Sequence, residues 1–147
     1  MPIIESQNEK VISSQTSFQI LNILEGAIER GTGKSLSKID YPLAGKTGTT
    51  NDAESTWFTG YNNSLVTSVW VGFDQPRSLG NREFGSSVAL PIWLSFIQEI
   101  IDKIPISNTV PPEGLSIIKI DKSTGKRPGI ETKNQIFEYY LEEHTPD

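Results

Sequence analysis

Between Leu43 and Phe73 three short strand-forming stretches follow one another: Leu43–Thr49, Trp57–Tyr61 and Leu65–Phe73. The second and third are joined by Asn62-Asn63, and asparagine tolerates the positive φ that a tight hairpin turn demands. The segment therefore reads as an antiparallel meander. Amphipathic stretches flank it on both sides. From Gln15 to Arg30, apolar residues fall at Phe18, Leu21, Leu24, Ala27 and Ile28, the spacing of one helical face. Ser13 or Ser14 can cap that helix, and Gly31 sits where a helix commonly stops. A loop, Gly31–Lys38, follows and is closed by Asp40-Tyr41-Pro42. From about Val88 to Lys103 a second face carries Ala89, Trp93, Phe96, Ile97, Ile100 and Ile104. Ser86 or Ser87 is placed to cap it, and Pro91 falls in or beside its first turn, where a missing N–H costs least. An antiparallel sheet segment with flanking helices makes the fold class α+β.

The 147 residues suffice for one compact domain, and 35% hydrophobic with 21% charged residues is a globular composition. A net charge of -5 and the lack of a long basic stretch argue against a nucleic-acid partner. With no cysteine there are no disulfides and no thiolate metal sites. No apolar run approaches the roughly 20 residues needed to span a bilayer. Met1-Pro2-Ile3-Ile4-Glu5-Ser6 also lacks the basic region and apolar core of a signal peptide.

Residues 1–12 are polar and read as a poorly ordered segment, 13–104 as the main folded part, and 105–147 as an extension. In the extension, Pro111-Pro112 reads as a linker. Leu115–Ile120 and a turn at Asp121–Gly125 suggest one small hairpin, and the acidic tail Tyr139–Asp147 ends without a clear element.

The stretch with chemical content is Ala44-Gly45-Lys46-Thr47-Gly48-Thr49-Thr50. In an extended chain Lys46 and Thr47 point to opposite faces, so both reach one ligand only if it lies along the strand's edge, paired to its backbone. Gly48 has no Cβ, which lets a peptide-like ligand approach closely. Lys46 supplies a positive charge for a carboxylate, and the Thr47 and Thr49 hydroxyls can donate to it. Charge-assisted bonds of this kind contribute about 1.5–3 kcal/mol each. A three-residue Lys-Thr-Gly match also arises by chance in surface loops.

The surrounding order of motifs distinguishes these readings. Leu43–Asp52 is followed by Trp57-Phe58-Thr59-Gly60-Tyr61, then Val69–Asp74, Pro76–Gly80 and Ala89-Leu90-Pro91-Ile92-Trp93. Val11-Ile12-Ser13 and Gly31-Thr32-Gly33 precede it, and Pro112-Glu113-Gly114, Ile120-Asp121 and Thr124-Gly125 come after. Over most of residues 11–125 this series resembles the C-terminal part of the transpeptidase domain of class A penicillin-binding proteins of the 1A type. The resemblance implies the C-terminal portion of the penicillin-binding protein transpeptidase and serine β-lactamase-like fold, with residues 13–104 as the domain's C-terminal part. It implies a parent that is a bifunctional peptidoglycan synthase, both glycosyltransferase and D,D-transpeptidase, anchored in the cytoplasmic membrane with this domain outside. Its substrate is the D-alanyl-D-alanine end of the stem peptide, and β-lactams acylate its serine. Lys46, Thr47, Gly48 and Thr49 then form the carboxylate-binding strand, with the Thr49 N–H as an oxyanion-hole donor. No metal or organic cofactor is implied. In the resembled fold this sheet also packs against elements from further upstream, so the isolated chain is expected to expose part of its core and to self-associate.

The family's nucleophilic serine and its lysine are expected upstream of this chain, which is therefore expected to be inactive alone. Ser35-Leu36-Ser37-Lys38 imitates Ser-x-x-Lys literally, but in a loop rather than on the helix that would set the lysine against the hydroxyl. Ser6-Gln7-Asn8 likewise imitates Ser-x-Asn. Ser55-Thr56 stands where an acidic residue and alanine are usual, and Asn62-Asn63 where Thr-Pro is usual. Two rival functions are a non-catalytic module binding cell-wall peptide or a partner, and a nucleotide-binding domain. The second requires a glycine where Asp40 stands, and Pro42 disrupts a phosphate-binding nest.

The remaining conspicuous residues have structural explanations. Trp57, Trp70 and Trp93 occupy strand or core-facing positions, where burial is expected to account for them without a ligand. His144 is the only histidine and sits in the tail, so neither a Ser-His relay nor a histidine metal site is expected. Glu138, Glu142 and Glu143 read as a solvated face.

Overall fold

The computed structural model describes residues 9–62, 64–106 and 109–147. It divides into two compact units, Leu21–Val110 and Met1–Ile20 with Pro111–Asp147. The expectations for residues 1–8, including Ser6-Gln7-Asn8, and for Asn63 lie outside the described residues.

Helix α1 runs from Ser14 to Glu29. Ser13 is its cap, because the Ser13 Oγ accepts the Thr16 N–H at 3.0 Å. Phe18 and Ile28 are buried, and Leu21, Leu24 and Ala27 are half-buried, as the apolar periodicity requires. Beyond it, the stretch expected as a loop winds into a 3-10 turn over Lys34–Lys38, pinned by Leu36, which is buried.

Three strands follow: β1 (Ala44–Thr49), β2 (Ser55–Tyr61) and β3 (Val66–Gly72). They form an antiparallel meander in the order β1-β2-β3. β2 starts two residues before the apolar pattern does. Thr50 closes the preceding turn, its N–H donating to the Ser55 carbonyl at 3.0 Å and its Oγ1 accepting the Ser55 N–H at 2.8 Å. At the β2–β3 turn Asn62 acts through its side chain, whose Oδ1 accepts the N–H groups of Ser64 and Leu65, both at 2.8 Å.

Helix α2 spans Ala89–Ile100 and continues as a 3-10 turn over Ile101–Lys103. Neither expected serine caps it: Val88 is the N-cap residue, without a side-chain cap. Ser87 instead serves the turn before, its Oγ accepting the Phe84 N–H at 2.8 Å and donating to the Arg82 carbonyl. The buried stripe is Ala89, Leu90, Trp93 and Ile97, whereas Phe96 lies outside it and is exposed.

That stripe packs on one face of the meander. Phe58 and Trp93 are fully buried, with ring centroids 5.0 Å apart in an edge-to-face contact. The indole N–H of Trp93 donates to the Thr67 Oγ1 at 2.6 Å, so the ring is buried with its polar atom satisfied. The other two tryptophans correct the expectation of burial: Trp57 and Trp70 are 45% and 47% exposed. They are cross-strand partners, and the strand alternation sets them on the face opposite Phe58, where they shield each other at a centroid distance of 6.4 Å.

In the other unit β4 (Leu115–Asp121) pairs antiparallel with β5 (Gln135–Leu141). Of the tail expected to end without a clear element, Tyr139–Leu141 complete β5 and Glu142–His144 form a 3-10 turn. Tyr139 is held by an edge-to-face contact with Phe18 at 4.8 Å and by the Gln19 amide donating to its carbonyl at 2.9 Å.

Candidate functional site

β1 is an edge strand of the three-stranded sheet, paired on one side to β2. The register sets Lys46 opposite Thr59, Thr47 opposite Phe58, Gly48 opposite Trp57 and Thr49 opposite Thr56. Alternation thus sends Lys46 and Gly48 to the tryptophan-bearing face and Thr47 and Thr49 to the face shared with Phe58. Lys46 nevertheless reaches its neighbour. Its exposed Nζ curls back to donate to the Thr47 carbonyl at 3.0 Å and to the Thr47 Oγ1 at 3.3 Å. Among the described residues no carboxylate pairs with it.

The two threonine hydroxyls are differently placed. Thr47 donates to the Thr32 Oγ1 at 3.0 Å. The Thr49 Oγ1 accepts the N–H of Gly85 at 3.0 Å and retains its own proton for donation. Gly85 lies flat on the strands: a Cβ there would stand 2.7 Å from the Gly48 carbonyl oxygen and 3.1 Å from the Thr47 Cβ. Gly48 is half-buried, and a Cβ added to it would meet the Trp57 Cβ at 3.2 Å. A groove of about 510 Å³ begins at Thr49 and is lined by Asp52, Arg82 and Phe84 among others. Asp52, Ala53 and Arg82 all hold positive φ, at 59°, 51° and 65°. The Leu79 N–H fixes the two loops together by donating to the Ala53 carbonyl at 2.9 Å.

An exposed ammonium beside a hydroxyl on a strand edge is suited to an anionic group carried on an extended chain. It is unsuited to a nucleotide phosphate, which requires lysine where a glycine-rich loop opens a helix, whereas Lys46 lies within β1. Ser35 and Lys38 sit at exposed positions of the 3-10 turn. Among the described residues no cluster of three or more histidine, cysteine or acidic side chains is arranged to hold a metal, and no helix is long and apolar enough to cross a membrane.

Sequence reasoning did not find Thr32 or Gly85 as neighbours of the strand. Gly31-Thr32-Gly33 was visible as a motif, but no local periodicity connects a helix terminus to a strand 15 residues later.

The model of the penicillin binding protein transpeptidase domain matches residues 4–98. Penicillin-binding protein 1A of Pseudomonas aeruginosa is 43% identical over 141 residues, covering 94% of this chain and 17% of that protein. Penicillin-binding protein 1A of Rickettsia conorii is 38% identical over 117 residues, covering 80% of this chain and 15% of that protein. The crystal structure of penicillin-binding protein 1A from Haemophilus influenzae superposes with a TM-score of 0.82 at 30% identity, covering 93% of this chain and 22% of that one. The chain belongs to the penicillin-binding protein transpeptidase family, and its helices and antiparallel meander are the α+β fold of that family. It spans less than a fifth of the length of these two relatives.

Proposed function

We propose that this chain is the C-terminal share of the transpeptidase domain of a peptidoglycan synthase, and that β1 binds the terminal carboxylate of a D-alanyl-D-alanine stem peptide or of a β-lactam. The observation that carries this reading is the exposed Lys46 ammonium 3.3 Å from the Thr47 hydroxyl on a strand edge. Lys46 neutralises the carboxylate, Thr47 and Thr49 donate to it, and Gly48 leaves room for the ligand backbone. The Thr49 N–H then contributes to the oxyanion hole, where a single donor is worth about 10²–10³ in rate. The reaction is acyl transfer through a serine ester, with nucleophile and lysine supplied from upstream, so the chain alone is inactive. The parent also polymerises glycan in a second domain and is anchored in the cytoplasmic membrane, with this domain on the outer side. Neither domain's reaction, on this reading, uses a cofactor bound by this chain.

In the full-length protein, Lys46→Ala should lower penicillin acylation and peptide cross-linking by tenfold or more while sparing glycan polymerisation, because one charge-assisted bond of about 1.5–3 kcal/mol is worth roughly 10- to 150-fold. Normal acylation would remove Lys46 from the site. Intact-mass analysis after incubation with a fluorescent penicillin decides the status of the isolated chain. A stoichiometric adduct lost in Ser35→Ala would locate the nucleophile here, and the absence of any acylation by the full-length protein would favour a non-catalytic peptide-binding module.

A further inference from the structure

We infer that Thr32 is a positioning residue for the carboxylate site, holding the Thr47 hydroxyl in the rotamer that faces Lys46; this rests on the carboxylate-binding reading of β1. A threonine hydroxyl has one proton and two acceptor sites, and its χ1 has more than one accessible well on an edge strand. Both functions of the Thr47 oxygen are engaged: it accepts from the Lys46 Nζ at 3.3 Å and donates to the Thr32 Oγ1 at 3.0 Å. Thr32 is the only partner of the two that comes from another element, so it fixes the oxygen relative to the rest of the domain.

The segment that carries Thr32 is closely packed against α1. Thr32 stands at the end of α1 between Gly31 and Gly33, and both glycines lie against the last turn of that helix. A Cβ on Gly31 would be 2.8 Å from the Ala27 carbonyl oxygen, and one on Gly33 would be 3.1 Å from the Ile28 Cα. The Gly33 N–H donates to the Ala27 carbonyl at 3.0 Å, which ties the loop to the helix. When a carboxylate arrives, the Thr47 proton turns from Thr32 to the ligand. Thr32 then has its own proton to return to the Thr47 oxygen. Only protons move, and the heavy atoms keep their places, which is the economy expected of a preorganised site.

The test compares Thr32→Val, which keeps shape and loses the hydroxyl, with Thr32→Ser in the full-length protein, reading the penicillin acylation rate constant and the melting temperature. Thr32→Val should acylate about three- to tenfold more slowly, as expected for one lost neutral hydrogen bond. Its melting temperature should be unchanged, and Thr32→Ser should restore most of the rate. In a Thr47→Val background, Thr32→Val should have no further effect. Wild-type acylation by Thr32→Val with slowed acylation by Thr47→Val would overturn the inference and leave the strand reading intact. Equal losses in the Val and Ser variants, or additive losses with Thr47→Val, would also overturn it. Wild-type acylation by both Thr47→Val and Lys46→Ala would remove the strand reading itself.

Discussion

The indole of Trp93 lies on the Cα of Gly60, so closely that a Cβ on that glycine would stand 2.6 Å from the Trp93 Cε2 and 2.8 Å from the Phe58 Cε1. Neither ring can retreat, since both are fully buried and in contact with each other. Gly60→Ala should therefore destabilise the chain by about 1–3 kcal/mol, the usual cost of overpacking a core. Urea unfolding measures it. An unchanged midpoint would mean that α2 is free to shift away from the sheet.

A second prediction concerns Thr56, opposite Thr49 on β1 and Val71 on β3. It is fully buried, and among the described residues its Oγ1 has no hydrogen-bond partner. A buried hydroxyl without a partner carries an uncompensated desolvation cost. Thr56→Val keeps the shape and removes the hydroxyl, so it should stabilise the chain by about 1 kcal/mol. A loss of stability would show that the hydroxyl is satisfied in solution.

Glu25 on α1 sets a pH dependence. Burial raises its pKa above the ordinary 4.5, a hydrogen bond from the Asn22 side chain opposes the shift, and the Glu29 carboxylate adds to it. The folded state therefore holds this proton more tightly than the unfolded state does. The associated stability is fully present below the unfolded pKa and is lost as pH rises through the folded one. Glu25→Gln removes the titration, so its stability advantage over the wild type should grow as pH is raised from about 4 to 7. A pH-independent difference in urea unfolding would eliminate this role for Glu25.

The face bearing Trp57, Trp70 and Val66 is the basis of a fourth prediction, their exposures being 45%, 47% and 67%. Contiguous exposed apolar surface promotes association. The isolated chain should bind an apolar dye and sediment faster as its concentration rises, and Trp57→Thr with Trp70→Thr should weaken both effects. A monodisperse monomer without dye binding would show that the face is not adhesive.

The sequence made the meander legible because its turns are short and its strands alternate, and it made β1 legible because lysine, threonine and glycine each leave a chemical trace. What it hid was decided by partners far along the chain. Trp57 and Trp70 look like core residues until the register to β3 turns them to the face away from Phe58. Ser87 looks like a helix cap until the Phe84 N–H takes its oxygen. Tyr139–Leu141 look like the start of an acidic tail until β4 supplies the other half of their hydrogen bonding. Thr32 and Gly85 reached the site for the same reason: contacts with Thr47 and Thr49 that no local pattern encodes.

The exposed Lys46 on β1 has one more consequence. A bare strand edge invites a second copy to add itself to the sheet, and a charged lysine is among the commonest guards against that. On the carboxylate-binding reading, the ammonium that draws a ligand to β1 also repels the lysine of an identical edge. On that reading, loss of Lys46 removes the ligand's counter-charge and the guard on the sheet edge together.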